Sequence, residues 1–439
     1  MVAVRGGAMP GQPARPPLAF LLHSLFGLKL SLFTLFICLT GTIAVVSDEV
    51  EWLFRPEVRA SATNHAASWG EQLAAARAAY PGHRIEYGLA GEAPYLATRF
   101  RATAPNGDRR MIYVDPATAC VTGESSWIGF VTFMRALHHY LFVPGDWGFY
   151  AVTSLGIVLS VSLVTGLIAY KKFWRGLFAL PRLDRGRRVF WGDLHRLIGL
   201  WSSWFVLLMA ATSLWYLAER VLYRAGFDWE PARTPIAAPP TATMLPLDRL
   251  VELALAAIPG LAVKQVGFPS ESEPTVLIRG QARAWLVRDR TNAVELDPYT
   301  GALLARHRAE SMSPIERWSH MADPLHFGDF GGLASKLVWF GFGCLMCLSA
   351  LSGAIIHCRR TARAVGIQLR GSNWWRLRGL DFHGRWKWAN VAAASLVPAM
   401  AYFLYWQPLL GGRPSAAPTA SAHHCTAGDG VTEIQPSAR

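Results

Sequence analysis

The stretch "LHRLIGLWSSWFVLLMAATSLWYLAE", residues 194–219, decides the fold once it is set beside "LHSLFGLKLSLFTLFICLTGTIAVVSDEV", residues 22–50. Each opens on a histidine, carries a glycine four residues later and runs on as a long apolar stretch. His23 matches His195, Gly27 matches Gly199, and Thr40-Gly41 matches Thr212-Ser213, all at an offset of 172 residues. Matched landmarks over that length mark an internal duplication.

Composition sets the class. Of 439 residues, 52% are hydrophobic, 12% aromatic and only 17% charged, too apolar for a soluble chain of two or three domains. Apolar runs near 18–46, 147–170, 197–218, 333–357 and 388–406 reach the roughly 20 residues that cross a bilayer, which predicts five spans, the last interrupted by Pro398. The first run exceeds a signal-peptide core and no A-x-A-like cleavage site follows it, so it reads as an anchor. Lysine and arginine gather in 171–188 and 359–387, whereas 48–130 and 219–332 are slightly acidic. The positive-inside rule then places the amino terminus and both basic loops in the cytoplasm. The formal charge of +13 is a topology signal, with anionic lipid as a secondary partner; no aromatic-interleaved basic stripe points to nucleic acid.

The repeat continues beyond the spans. "LAAARAAYPGHRIEYGL" (73–89) parallels "LVELALAAIPGLAVKQVGF" (250–268), and Asp115-Pro116 parallels Asp297-Pro298. Each reads as a helix ending at Pro-Gly, then alternating strands with Asp-Pro at a turn. "VSLVTGLIAYKKF" (161–173) lies over "LSALSGAIIHCRR" (348–360), with Gly166 on Gly353. The expected fold is an α-helical integral membrane bundle of two parallel repeats, each span, α+β domain, span. The segments are 1–17 (cytoplasmic), 18–46 (first span), 47–130 (first external domain), 131–170 (second span with its lead-in), 171–189 (basic loop), 190–218 (third span), 219–332 (second external domain), 333–357 (fourth span), 358–387 (basic loop), 388–406 (fifth span) and 407–439 (disordered tail).

A parallel repeat sets equivalent side chains face to face across a pseudo-twofold axis. His23 and His195 form the inner pair; His138 or His139, from "RALHHYLF", corresponds to His326 in the outer one. A flat cofactor on that axis takes one axial ligand from each half, and bis-histidine haem b fits that demand, two per chain. Gly27 and Gly199, one turn from their histidines, leave room for the macrocycle. Arg135 and Arg196 stand near enough for its propionates. Only one of His138 and His139 can face the axis, since one residue turns a helix by about 100°. Histidine at a span end is also a common interfacial anchor. His320, His357 and His383 are secondary candidates, His357 and His383 as an inner pair; His65, His83 and His307 read as solvated surface.

Other features are weaker. Cys38, Cys344, Cys347 and Cys358 read as apolar fillers, Cys120 and Cys425 as a disulfide option, and Cys-x-x-Cys-His is absent. The Thr-Gly pairs read as helix-packing sites. "GDWG" (145–148) and "GDFGG" (328–332) read as tight turns, not phosphate cradles. His423 and His424 sit in a Pro/Ala/Ser-rich tail.

With these residues in view, the chain resembles the PepSY-associated transmembrane family of bacterial inner-membrane proteins from about residue 18 to 360. The likeness rests on "HSLFGLKLSLFTLFICLTGT", "LHHYLF", "GDLHRLIGLW" and "LHFGDFGG". The family includes iron-regulated proteins and siderophore-iron reductases. The resemblance therefore implies PepSY-like external domains on the periplasmic side, b-type haem on His23, His195, His138 and His326, and reduction of a ferric siderophore, with no catalytic nucleophile or general base. The fifth span departs from the family's four-span pattern. A quinol or reduced flavin is the expected inner donor, with Trp127, Trp147, Phe149 and Trp339 lining the substrate mouth. Two other classes compete. A siderophore or iron permease predicts polar or broken mid-membrane helices, and a haem-free regulator binding a partner through PepSY-like domains predicts dispensable histidines.

Overall fold

The structure is a computed structural model that describes residues 18–62, 66–170, 173–227, 243–270 and 273–364. The expected fifth span, the tail, His65, His383 and Cys425 lie outside the described residues. The chain forms two compact units. The first is built from described residues within Met1–Cys38, Ser154–Ala211 and Leu345–Ala393, the second from those within Leu39–Thr153 and Thr212–Cys344.

The duplication is visible in the element order. Its first half gives α1 (Leu18–Lys29), α2 (Ser31–Val45), α3 (Ser47–Phe54), α4 (Trp69–Ala79), β1 (Arg84–Leu89), β2 (Thr98–Thr103), β3 (Arg109–Val114), β4 (Val121–Ser126), α5 (Phe130–Tyr140), α6 (Trp147–Thr153) and α7 (Leu155–Ala169). Its second half gives α8 (Arg187–Trp201), α9 (Ser203–Arg224), α10 (Leu247–Ala257), β5 (Ala262–Gly267), β6 (Val276–Gln281), β7 (Asn292–Leu296), β8 (Leu303–His307), α11 (Pro314–Phe327) and α12 (Gly332–Ala364).

Two expectations are corrected here. The chain is not an α-helical membrane bundle carrying two small separate domains: its eight strands form one antiparallel sheet, in the order β4-β3-β2-β1-β5-β6-β7-β8. The equivalent strands β1 and β5 make the join, pairing Tyr87 with Gly267, Gly88 with Val266 and Leu89 with Gln265. A four-stranded sheet standing alone would leave β1 as an open edge with unpaired N–H and C=O groups. Antiparallel pairing of equivalent strands satisfies them in the self-complementary way that a twofold relation imposes. The expected spans are also not all continuous helices. Among the described residues, three helical stretches are long and apolar enough to cross a membrane: Trp147–Ala169, Ser203–Arg224 and Gly332–His357. A fourth exists only if α2 and α3, bent by 60° at their junction, count as one. The expected first and third spans each break after a short leading helix, so His23 lies on α1 and His195 on α8. At the second break Ser202 folds back, its hydroxyl donating to Ile198 O at 2.7 Å, a bond that bends helices.

One sheet face holds the core. The strand β2 alternates buried and half-buried residues, and Phe100, Ile112, Leu250, Ile278 and Leu296 are almost completely enclosed between the sheet and the helices α4 and α10. Ser68 caps α4 in a reciprocal box with Glu71, and Asp248 at the start of α10 accepts from Ser68 Oγ at 2.9 Å and Gly70 N at 2.8 Å. Gly82 and Gly260, with φ of +83° and +82°, take the left-handed turn that follows each helix. Phe100→Ala is expected to cost about 3–5 kcal/mol, seen as a melting temperature roughly 10 °C lower in detergent.

The other sheet face is polar. Arg279 and Gln281 of β6, Glu295 of β7 and His307 of β8 line a cavity of about 600 Å³, with α11 contributing Glu316, His320, Asp323 and Phe327.

Candidate functional site

The four matched histidines form two pairs, one in each unit. In the first, the His23 and His195 ring centroids are 6.3 Å apart with planes at 61°. His23 Nδ1 lies 2.9 Å from Ser162 O and 3.5 Å from Thr165 Oγ1 on α7. His195 Nδ1 lies 3.0 Å from both Ser349 O and Ser352 Oγ on α12. A Cβ at Gly166 would come within 3.2 Å of His23 Cε1, and one at Gly353 within 3.3 Å of His195 Cε1. The repeat-matched glycines thus let each imidazole settle on the second helix of its own half.

In the second pair, the His138 and His326 centroids are 6.4 Å apart with planes at 34°. Thr40 Oγ1 stands 3.2 Å from His138 Nδ1, and Thr212 Oγ1 stands 2.8 Å from His326 Nδ1. A Cβ at Gly41 would meet His138 Cε1 at 2.6 Å. The Thr-Gly and Thr-Ser pairs, read from sequence as helix-packing sites, therefore seat the outer imidazoles. Burial, and then the neighbouring His138, push the His326 ring down to about 4, so it is neutral at physiological pH. Gly328, with φ of +72°, ends α11 just past this ring, where a Cβ would collide with Trp339.

The remaining candidates divide. His139 turns from the axis and packs on Phe327 at 5.9 Å, leaving His138 opposite His326. Nothing lies within 4 Å of a Cβ built on Gly199, so space is open there; the surroundings of Gly27 lie outside the described residues. Arg135 is engaged by Glu92 at 3.3 Å and Asp48 at 3.9 Å, and Arg196 by Asp193 at 3.4 Å, so both arginines already hold carboxylates. His357 lies on α12. His83 packs edge-on against Tyr80 at 5.5 Å. Asp146 of "GDWG" is a clamp on α9, accepting from Arg224 Nε at 2.6 Å.

The expected aromatic mouth is not where the cavity is. Trp127 lies under Arg101 at 4.1 Å, Phe149 under Arg220 at 4.7 Å, Trp339 donates to Leu325 O, and Trp147 is exposed. Trp285, Phe327 and Phe330 line the cavity instead. His307 and His320, read as surface and spare, stand on its wall. Burial, and then Arg288 and His307, push His320 down to about 4. At the other end, buried Lys336 reaches Glu49 at 3.1 Å, Glu92 at 3.7 Å and Asp48 at 3.9 Å. Burial opposes ionisation of Glu92, yet Arg135, Arg99, Lys336 and Arg290 outweigh it and hold the carboxyl down at about 2.

The sequence pattern of the PepSY-associated TM region matches residues 20–384 of this chain. The chain belongs to the PepSY-associated transmembrane family. It is a membrane protein, as its apolar helices also show. It is similar to Uncharacterized protein PA4219 of Pseudomonas aeruginosa, 27% identical over 256 residues, a stretch that is 53% of this chain and 64% of the relative. The match thus spans slightly less than two thirds of that relative's length. In this PepSY-associated protein the seats of the histidines were the part that sequence reading missed. Their advance signals were the pairing of Thr40 with Thr212, at the same offset as His23 with His195, and that of Gly166 with Gly353.

Proposed function

We propose that the protein is a membrane oxidoreductase holding two b-type haems and reducing the iron of a ferric siderophore to Fe(II). The separation of the two histidine pairs carries this reading. Two imidazoles bonded to one metal through nitrogens at about 2 Å hold their ring centroids roughly 6 Å apart, and the pairs stand at 6.3 and 6.4 Å. Binding through one nitrogen of each ring would not dictate the angle between the two planes, so the 61° and 34° found are both compatible with it. Each Nδ1 is engaged by a hydroxyl or a carbonyl of its own half. Nε2 is then the atom that would hold a metal, and the Nδ1 contact would orient the ring, as ligating histidines require.

Haem b on His23/His195 and on His138/His326 would supply one-electron transfer. By the charge rule the first pair lies on the cytoplasmic side, beside the 171–189 loop, where a quinol or reduced flavin is the donor. The second shares a unit with the cavity, whose 600 Å³ is the size of a small-molecule site. Its polar sheet face and its Trp285, Phe327 and Phe330 wall suit a ferric chelate with oxygen donors and an organic backbone. This reading places the protein in the inner membrane with the sheet in the periplasm.

The test is a reduced-minus-oxidised visible spectrum of detergent-purified protein with a pyridine-haemochrome count, followed by reduction of a ferric hydroxamate. Two haems per chain and Fe(II) release are expected; haem-free protein after expression with ample haem overturns the reading. A finer check is Thr212→Val, which removes the Nδ1 partner of His326 while keeping its shape. Loss of such an outer partner costs about 10–100-fold in ligand-held affinity, so half of the haem should dissociate more readily on gel filtration.

A further inference from the structure

His307, Glu316 and His320 face the cavity together, and their ligating atoms all lie within 4.8 Å of one another. The local fold brings this about. Glu316 and His320 are four residues apart on α11 and so share a face, while His307 ends β8 on the polar side of the sheet. His307 Nε2 is 3.5 Å from Glu316 Oε1. The second carboxylate oxygen is tied down at the start of α11, accepting from Ser313 N at 3.4 Å.

His320 is held in one tautomer. Thr291 Oγ1 donates its hydrogen to Arg288 O at 2.7 Å and is therefore left to accept, at 3.1 Å, from His320 Nδ1. The proton sits on Nδ1 and the lone pair on Nε2, the form in which an imidazole binds a metal. A simple His307–Glu316 ion pair calls for neither a third ring nor that lock. The nearby Arg288 is already bound to Asp323 at 2.5 Å, so it is not the cation that this trio serves.

We infer that His307, Glu316 and His320 bind one divalent first-row transition metal ion, with its remaining coordination positions open to the cavity. Two imidazoles and one carboxylate suit Zn(II), Fe(II) or Co(II) and not the oxygen-seeking Mg(II) or Ca(II). Donors on one ion with bonds of about 2.0–2.2 Å stand roughly 3–3.5 Å apart, close to the spacing His307 and Glu316 already have. The matching positions of the first half are Ser125, Ile128 and Thr132, so the first half does not repeat the site. Under the reductase reading it receives the Fe(II) set free in the cavity; that role rests on the reading, whereas the metal site itself does not.

The experiment uses the full chain in detergent, stripped of metal and carrying no polyhistidine tag, titrated with Co(II) and followed by its visible bands. One tight equivalent, displaced by Zn(II), is expected. His320→Ala and His307→Ala should each weaken it at least about 100-fold, Glu316→Gln similarly, and Thr291→Val about 10–100-fold with all three ligands in place. His423→Ala with His424→Ala should leave that equivalent untouched. Should the alanine variants fail to fold by gel filtration, the near-isosteric Glu316→Gln and Thr291→Val decide alone. No tight equivalent in the wild type, an equivalent indifferent to these changes, or one lost with the tail histidines overturns the inference. Haem counted on the same samples separates the two claims: full haem without the cobalt site sinks only the metal site, and a cobalt site in haem-free protein sinks only the reductase.

Discussion

Under the proposed haem reading, His326→Ala is expected to take the haem content from two per chain to one and to bring ferric-chelate reduction down to the rate of a haem-free control. The ring opposite His138 disappears, and a single imidazole does not hold a six-coordinate iron against loss in detergent. The inner pair keeps its seats on Ser162 and on Ser349 and Ser352, so its haem stays. His139→Ala is the matched control: its ring packs on Phe327 outside the pair and both haems should remain. Retention of two haems in His326→Ala, or loss of one in His139→Ala, contradicts the assignment.

Lys336→Met should cost the sheet unit a large part of its stability. The ammonium is buried and touches three carboxylates, those of Asp48, Glu49 and Glu92. Leaving buried carboxylates short of a cation costs about 3–5 kcal/mol, a melting temperature lower by roughly 10 °C. Arg99 and Arg135 still hold part of the charge, so the sheet unit should fold, only less stably. The same cluster sets an acid limit. Glu92 has its folded pKa depressed to about 2 from an ordinary 4.5. Its contribution is therefore complete above pH 4.5 and is lost as pH falls through 2, so a melting-temperature series from neutral to acid should lose its Glu92-dependent part only below pH 4.5. Glu92→Gln should flatten that portion of the curve.

The sequence carried the duplication and the histidines because both leave local signatures. An ionisable ring at the head of an apolar run is conspicuous, and a matched partner at the same offset makes it more so. The Pro-Gly ends of α4 and α10 were legible for the same reason. The merger of two four-stranded sheets into one was not, because the β1–β5 ladder joins edges far apart in sequence and no residue pattern within either strand demands it. The cavity leaves no local signature: Arg279, Gln281 and Glu295 alternate with apolar residues on β6 and β7, the pattern of any strand with one solvated face. The aromatic mouth was misplaced since Trp127 and Phe149 serve as platforms for arginines. Arg135 looked available because its partner Glu92 is distant in sequence, whereas the Asp193 that holds Arg196 stands only three residues before it on α8.

The ladder between β1 and β5 bears on what the molecule cannot do. A carrier that works by rocking one repeat against the other needs a seam that slips. Here backbone hydrogen bonds cross that seam, and the pair His138 and His326, one from each half, belongs to the unit that contains it. Any rotation of the halves would have to tear a sheet. Within this unit the two halves are thus tied into one frame by the β1–β5 ladder, and a rocking cycle of the kind a carrier needs has no seam there along which to run.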